Sequence, residues 1–146
     1  VGIESAQGST LKKVHRKASS NNQQRELVKM VENEGVNVIA FYILGLPTDT
    51  WNSCMETIKY AESLNTAGAQ FSVCTPYPGT QFYEDTKSRL MINKFDDFTQ
   101  FNPVLRHDNL TFEQIEKLKS IAYTRYYLRP AWIFKYIKTR AGLLLS

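Results

Sequence analysis

Apolar residues fall along the chain in two alternating rhythms. Short, nearly continuous runs rich in β-branched and aromatic residues predict strands, and stretches with apolar positions three and four apart predict helices. Val1 to Ser5 reads as the end of a strand, and Thr10 to Lys17 as a short helix with Leu11 and Val14 on one face. Asn21-Asn22 breaks the pattern. Gln23 to Glu34 follows as a helix that turns Leu27, Val28 and Val31 inward and stops at Gly35. Val36 to Leu44 is apolar almost throughout, which predicts a strand buried on both faces, as in parallel sheets. Thr50 to Leu64 carries Trp51, Met55, Ile58 and Ala61 or Leu64 at helical spacing. Ala69 to Thr75 is a third strand, and Gln81 to about Arg89 a further helix.

The order β-α-α-β-α-β-α, with helical connections between apolar strands, argues for right-handed crossovers and a parallel α/β sheet. Three parallel strands with no closing partner leave two open edges. Residues 1–90 are therefore expected to be three βα units, a parallel-stranded partial (βα) barrel that belongs to a larger one. The first strand starts at residue 1 with no Met before it, which fits a piece of a longer protein. Residues 91–146 are expected to add a covering loop and a C-terminal helical tail. From Met91 to Asn109 the chain is irregular and aromatic, with Phe95, Phe98 and Phe101 expected to bury over one end of the sheet. Thr111-Phe112-Glu113-Gln114 fits a capping box opening a helix to about Leu128 that buries Ile115, Leu118, Ile121 and Ala122. Arg129-Pro130 interrupts it, with Pro130 suited to the first turn of a final helix.

With 146 residues, 42% of them hydrophobic and 22% charged, the chain has the composition of a globular domain able to bury a core. No run approaches the roughly 20 apolar residues of a membrane span, and the first residues do not read as a secretory signal. Cys54 and Cys74 lack metal-ligand spacing, so they read as buried reduced thiols and the chain as cytoplasmic.

Charge changes the picture more. The net charge is +4, yet residues 1–114 carry eleven Lys and Arg against thirteen Asp and Glu. Residues 115–146 carry seven basic residues against Glu116 alone. The basic, aromatic segment Trp132 to Leu145 can lie on an anionic membrane surface. The preferred reading of residues 130–146 is an amphipathic helix packed on the barrel with its lysines in water. Nucleic acid is not an expected partner, because the basic residues form one segment without a recognition motif.

Candidate chemistry gathers at the ends of the three predicted strands. Val36 to Leu44 runs into Gly45-Leu46-Pro47, and Thr48, Asp49 and Thr50 supply a helix cap and favourable negative charge. Gly45 permits a positive φ or close approach of a ligand, and Pro47 stiffens the exit. Such junctions are good turns in their own right, and in parallel α/β sheets they also form ligand sites. The first strand end offers Glu4, Ser5 and Gln7; the second Tyr42, Gly45, Pro47 and Thr48; the third Ser72 and Thr75 to Thr80. Glu4 and Ser5 can accept hydrogen bonds from a ribose or cap the following helix. Pro76-Tyr77-Pro78-Gly79-Thr80 can read the edge of a base through its backbone or serve as a plain turn. His15 lies among lysines and arginines, and His107 lies in a loop; neither has a nucleophile at catalytic spacing. No Walker loop, dinucleotide fingerprint, zinc pattern or nucleophile elbow is present.

Together these junctions resemble the second half of a radical S-adenosylmethionine (SAM) barrel. The nearest resemblance is to the cobalamin-binding-domain group that includes the anaerobic magnesium-protoporphyrin IX monomethyl ester cyclases. It rests on Gly2-Ile3-Glu4-Ser5-Ala6 with Leu11, Gly45-Leu46-Pro47-Thr48-Asp49-Thr50, Thr75 to Thr80 with Phe82-Tyr83, and Ala122 to Pro130. The resemblance implies that Glu4 and Ser5 contact the ribose or methionyl portion of SAM. It also implies that segments around Tyr42, Gly45 and Pro47 and around Thr75, Pro76 and Tyr77 flank the adenine. The implied reaction is reductive cleavage of SAM by a [4Fe–4S] cluster, with a 5′-deoxyadenosyl radical abstracting hydrogen from a small-molecule substrate. Such chemistry belongs to the cofactors. Thr48-Asp49 departs from the group's Gly-Glu, and the group's Cys-x3-Cys-x2-Cys loop has no counterpart, so no catalytic or metal-ligating residue is assigned. The implied partners are the N-terminal half of the barrel and a cobalamin-binding domain, with cobalamin as a further cofactor. The alternative is a freestanding, non-catalytic α/β module that binds a nucleoside-like ligand or a protein partner.

Overall fold

The structure, a computed structural model, describes residues 1–6, 20–92 and 94–144, the side chains of residues 95 and 141–144 excepted. The expected helix over Thr10 to Lys17, with Leu11 and His15, and the candidate Gln7 lie outside the described residues. Three strands, β1 (Gly2–Glu4), β2 (Ile39–Leu44) and β3 (Gly68–Val73), form one parallel sheet in the order β1-β2-β3. Helices α1 (Asn21–Asn33), α2 (Trp51–Leu64), α3 (Gln81–Thr86), α4 (Phe112–Tyr127) and α5 (Pro130–Leu144), with 3-10 turns at Lys87–Arg89 and Phe95–Asp97, complete the described elements. The sequence pattern thus identified the α/β class, the parallel pairing and the order of these elements.

Local chemistry sets the helix ends. The hydroxyls of Ser20, Thr50 and Thr111 each accept from the backbone N–H three residues on, in reciprocal capping boxes with Gln23, Ser53 and Gln114. The box at Thr111 matches the expected one, and Thr50 is one of the three residues expected to cap α2. Asn65 stops α2 in the left-handed conformation that Asn tolerates.

The core lies on one face of the sheet. Ile3, Ala40, Tyr42, Leu44, Ala69 and Phe71 pack against Ile58 and Ala61 of α2 and Ile115, Leu118, Ala122 and Tyr126 of α4. The expectation that β2 is buried on both faces is corrected here. Ile39 and Phe41 are 53% and 42% exposed, because no described helix covers the second face. Leu27 is also half-exposed; Gln24 takes the inward position instead and accepts from the Tyr60 hydroxyl at 2.9 Å. In the covering loop the buried residues described are Pro103, Val104 and Leu105, while Phe101 is exposed.

The outer edge of β3 is closed by side chains. The Tyr127 hydroxyl accepts from Ala69 N–H at 2.9 Å and donates to Ala69 O at 2.7 Å. One turn earlier the Tyr123 hydroxyl accepts from Phe71 N–H at 3.2 Å, and Gln100 O accepts from Val73 N–H at 2.8 Å. Alternate residues of a strand present their backbone groups to the same edge, so tyrosines four apart on a helix can stand in for a fourth strand. This accounts for part of the Ala122 to Pro130 motif. Tyr126, its buried member, bonds Thr66, and Arg129 stacks 4.5 Å over the Tyr126 ring and reaches Glu62 O and Asn65.

Candidate functional site

The open face carries a groove of about 230 Å³ at the carboxyl end of the strands. It is lined by Gly2, Glu4, Phe41, Tyr42, Ile43, Ser72, Val73, Thr75, Tyr77 and Gln100. All three strand exits therefore contribute to one surface, as the parallel topology leads one to expect.

Glu4 reaches this surface through an unusual backbone. Between Gly2 and Glu4 the register with β2 slips, so that two residues of β1 advance against one of β2. Glu4 has φ +67°, and Ser5 N–H closes on Ile3 O at 2.9 Å, a γ-turn of the strained hand. Irregularities of this kind re-aim a side chain at a strand end and carry strain of about 1–3 kcal/mol.

Ser72 and Gln100 form the polar wall on the β3 side. Ser72 Oγ lies 3.1 Å from Gln100 Oε1, to which it donates, and accepts from Gln70 Nε2 at 3.4 Å. The Thr75 hydroxyl contacts Val73 O at 3.2 Å and Thr99 O at 3.0 Å. It thereby ties the strand exit to the loop that carries Gln100. Tyr77 is exposed at the rim. Gln100 was missed from sequence. Its signal was a lone amide between Phe98 and Phe101 in a segment read only for its aromatics.

The remaining sequence candidates lie elsewhere. Tyr42 lends the groove its backbone: its side chain is on the covered face, stacked on Phe71 at 5.2 Å, and its buried hydroxyl has no hydrogen-bond partner among the described residues. Burial, with Tyr126 and Tyr60 nearby, raises the pKa of that hydroxyl strongly. Ser5 is buried with its hydroxyl 3.4 Å from Thr57 Oγ1, against α2 rather than beside Glu4 in the groove. Gly45 has φ +74°, and a Cβ there would lie 3.4 Å from Ile115 Cδ1, so its freedom serves the turn and the packing of α4. Pro76 is fully buried, and Pro47 is partly buried.

Behind Gly45 a second polar cluster holds the turn together. Asp49 is buried and accepts from Leu46 N–H at 2.9 Å and Ser53 Oγ–H at 2.8 Å. Burial raises its carboxyl pKa, against the lowering by those hydrogen bonds. His107 Nδ1 accepts from the N–H groups of Asn109 and Leu110, so Nε2 carries the proton donated to Leu46 O at 2.7 Å. The Asp49 carboxylate is thus committed to its own turn, and His107 to stapling the covering loop onto it. Burial and the Asp49 charge push the Cys54 thiol up to about 12, the opposite of what a thiolate ligand needs. Cys54 and Cys74 are both buried, and neither is in a disulfide. Among the described residues no three His, Cys, Asp or Glu side chains are grouped to hold a metal ion.

No protein-family model matches the chain. It is 34% identical to an uncharacterized methyltransferase of Pyrococcus horikoshii, over 99% of this chain and 32% of that protein. It is 21% identical to the anaerobic magnesium-protoporphyrin IX monomethyl ester cyclase of Rubrivivax gelatinosus, over 91% of this chain and 24% of that enzyme. It is 24% identical to the bacteriochlorophyllide d C-8(2)-methyltransferase of Chlorobaculum tepidum, over 69% of this chain and 22% of that enzyme. The chain thus spans a third or less of the length of these relatives.

Proposed function

We propose that this chain is the SAM-binding part of a radical SAM enzyme, and that the groove on the open face holds part of the SAM molecule. The observation that carries this reading is the convergence of Glu4, Ser72, Thr75, Tyr77 and Gln100 on one surface at the carboxyl ends of parallel strands. Similarity to two methyltransferases and a magnesium-protoporphyrin cyclase supports it. Ligand pockets enclose roughly 300–1,000 Å³. A groove of about 230 Å³ suits one portion of SAM, with the remainder held by another part of the protein.

The residues fit that role. Glu4 accepts hydroxyl donors such as those of a ribose, and the left-handed turn at Glu4 sets the direction of its side chain. Ser72 and Gln100 offer a hydroxyl and an amide already oriented by one another. Tyr77 at the rim can cover an adenine with its ring. SAM supplies, when bound, an activated methyl group and an adenosyl group. The [4Fe–4S] cluster does not fit this chain: the sequence has only two cysteines, against the three thiolates the cluster of that family requires.

The partner in this reading is the N-terminal half of the barrel. β1 is an end strand, and beside it Val1, Gly2, Ile3, Gln23, Gln24 and Leu27 line a second cavity of about 300 Å³. An open edge flanked by an apolar recess is suited to receiving another strand with its helix.

Backbone-amide NMR during titration with SAM tests the site. Shifts confined to Glu4, Ile43, Ser72, Thr75 and Tyr77, and abolished by Glu4→Gln with Ser72→Ala, support the reading. Identical shifts with adenosine alone favour a nucleoside-binding module. Shifts confined to other surfaces, or none at saturation of the solubility range, reject the groove as the SAM site.

A further inference from the structure

The final helix turns one lysine inward and three large apolar side chains outward. Trp132 donates from Nε1 to Ala67 O at 3.1 Å, and Lys135 reaches inward to Glu32 Oε1 at 2.7 Å and Asn65 O at 2.6 Å. Thr139, on the same side, is partly buried. Ile133, Phe134 and Ile137 are instead 41%, 72% and 59% exposed. The expectation of apolar residues packed on the sheet with the lysines in water is thereby overturned for Lys135 and for these three.

At 3.6 residues per turn, Ile133, Ile137 and Phe134 form one stripe, with Arg140 along one flank and Lys138 along the other. Both cations are exposed, and among the described residues no carboxylate pairs with either. No acidic residue follows Glu116 in the sequence. The helix packs near Ile39 and Gly68, at the amino end of β2 and β3, so the stripe is remote from the carboxyl-end groove.

We propose that this stripe rests on an anionic membrane surface, with Ile133, Phe134 and Ile137 entering the headgroup boundary and Lys138 and Arg140 reaching the phosphates. An apolar stripe flanked by cations is the arrangement of an interfacial helix, and long basic side chains extend their charged ends while their stems stay apolar. No described helix is long and apolar enough to cross a membrane, so the contact is with the surface. A second copy is a poorer occupant. A two-fold pairing of this face would set Lys138 and Arg140 against themselves with no acid to separate them. An anionic bilayer complements both flanks at once and leaves the groove open.

Co-sedimentation of the intact protein with vesicles tests this. Phosphatidylcholine vesicles containing a minority of phosphatidylglycerol should pellet the protein, and phosphatidylcholine alone should pellet much less. Lys138→Gln with Arg140→Gln should weaken binding roughly 25-fold, from about 1 kcal/mol per cation. Phe134→Ser with Ile137→Ser should weaken it by a factor on the order of ten or more. Both pairs are exposed, and unchanged thermal unfolding of the variants shows that the fold is kept. Absence of pelleting on anionic vesicles, or equal pelleting of wild type and both variants, overturns the proposal. So does self-association without lipid that the Phe134→Ser, Ile137→Ser pair abolishes, which assigns the face to a second copy.

Discussion

The two faces of the sheet divide its work. On the covered face Tyr42, Leu44 and Phe71 are fully buried, and Phe71 meets Tyr42, Tyr123 and Tyr126 at ring distances of 5.2, 5.5 and 6.0 Å. On the open face Phe41 and Ile43 lie beside Glu4 and Ser72 with no described helix over them. Every β2 side chain that stabilises the domain by burial therefore leaves its neighbour on the face available to a ligand. The edges differ in the same way: β3 is closed by Tyr123, Tyr127 and Gln100, whereas β1 is an end strand. Stability and the proposed binding thus fall to alternate residues of the same strands.

The sharpest way to break this comparison is a pair of truncations. Phe71→Ala should cost about 3–5 kcal/mol in chemical denaturation, as loss of a large buried aromatic does. Phe41→Ala should cost about 0.5 kcal/mol, as surface changes do. Equal losses would mean that the second face is packed in solution. Next comes the β3 edge. Tyr123→Phe with Tyr127→Phe keeps both rings and removes both hydroxyls, and should cost about 2–4 kcal/mol. Amide exchange at Ala69 and Phe71 should quicken more than at Ala40 and Tyr42.

Asp49 tests the turn behind the groove. Asp49→Ala leaves the buried Leu46 N–H without its acceptor and should cost about 1–3 kcal/mol. The pH dependence has a definite sign. Burial raises the folded-state pKa of Asp49 above its unfolded value. Its contribution to stability is then full below the ordinary carboxylate range and is lost as pH rises through the raised value. Asp49→Asn should remove that loss, so stability measured against pH should gain on wild type toward neutrality. A constant difference between the two would refute the shift.

The smallest effect is at Glu4. Glu4→Gly relieves the left-handed strain and should change stability by no more than about 1 kcal/mol, in the stabilising direction. It should also weaken SAM binding in the titration described above. A variant that is less stable yet binds unchanged would assign Glu4 a structural role.

Much of the site was legible because it lies at strand ends, and strand ends follow from local pattern. The Gly45-Leu46-Pro47 junction, the strand exit at Thr75 and the polar Glu4 were all visible as departures from apolar runs. That the three strand ends share a surface follows from the parallel order, but which side chains reach it was not visible. Glu4 and Ser5 are adjacent in sequence, yet the turn at Glu4 sends one to the groove and the other to Thr57. Tyr42 was read correctly as a strand residue and stands on the covered face, because the two-residue alternation gives each face without saying which face the helices cover. Gln100 belongs to the groove through pairing with Val73, a contact between residues 27 apart that no short window contains.

The sequence by itself determined the α/β class, the parallel order of the strands, the foreseen cap at Thr111 and the basic charge of the last segment. These follow from residue types at short spacing, where propensity and periodicity act. Only the tertiary structure decided that one sheet face is open, that tyrosines of α4 close the β3 edge, and that Lys135 turns inward while Phe134 turns out. Each of these depends on burial against a distant element. Removing water from one set of groups and leaving it on another is a property of the packed chain, because local spacing determines a side chain's direction and not what it meets.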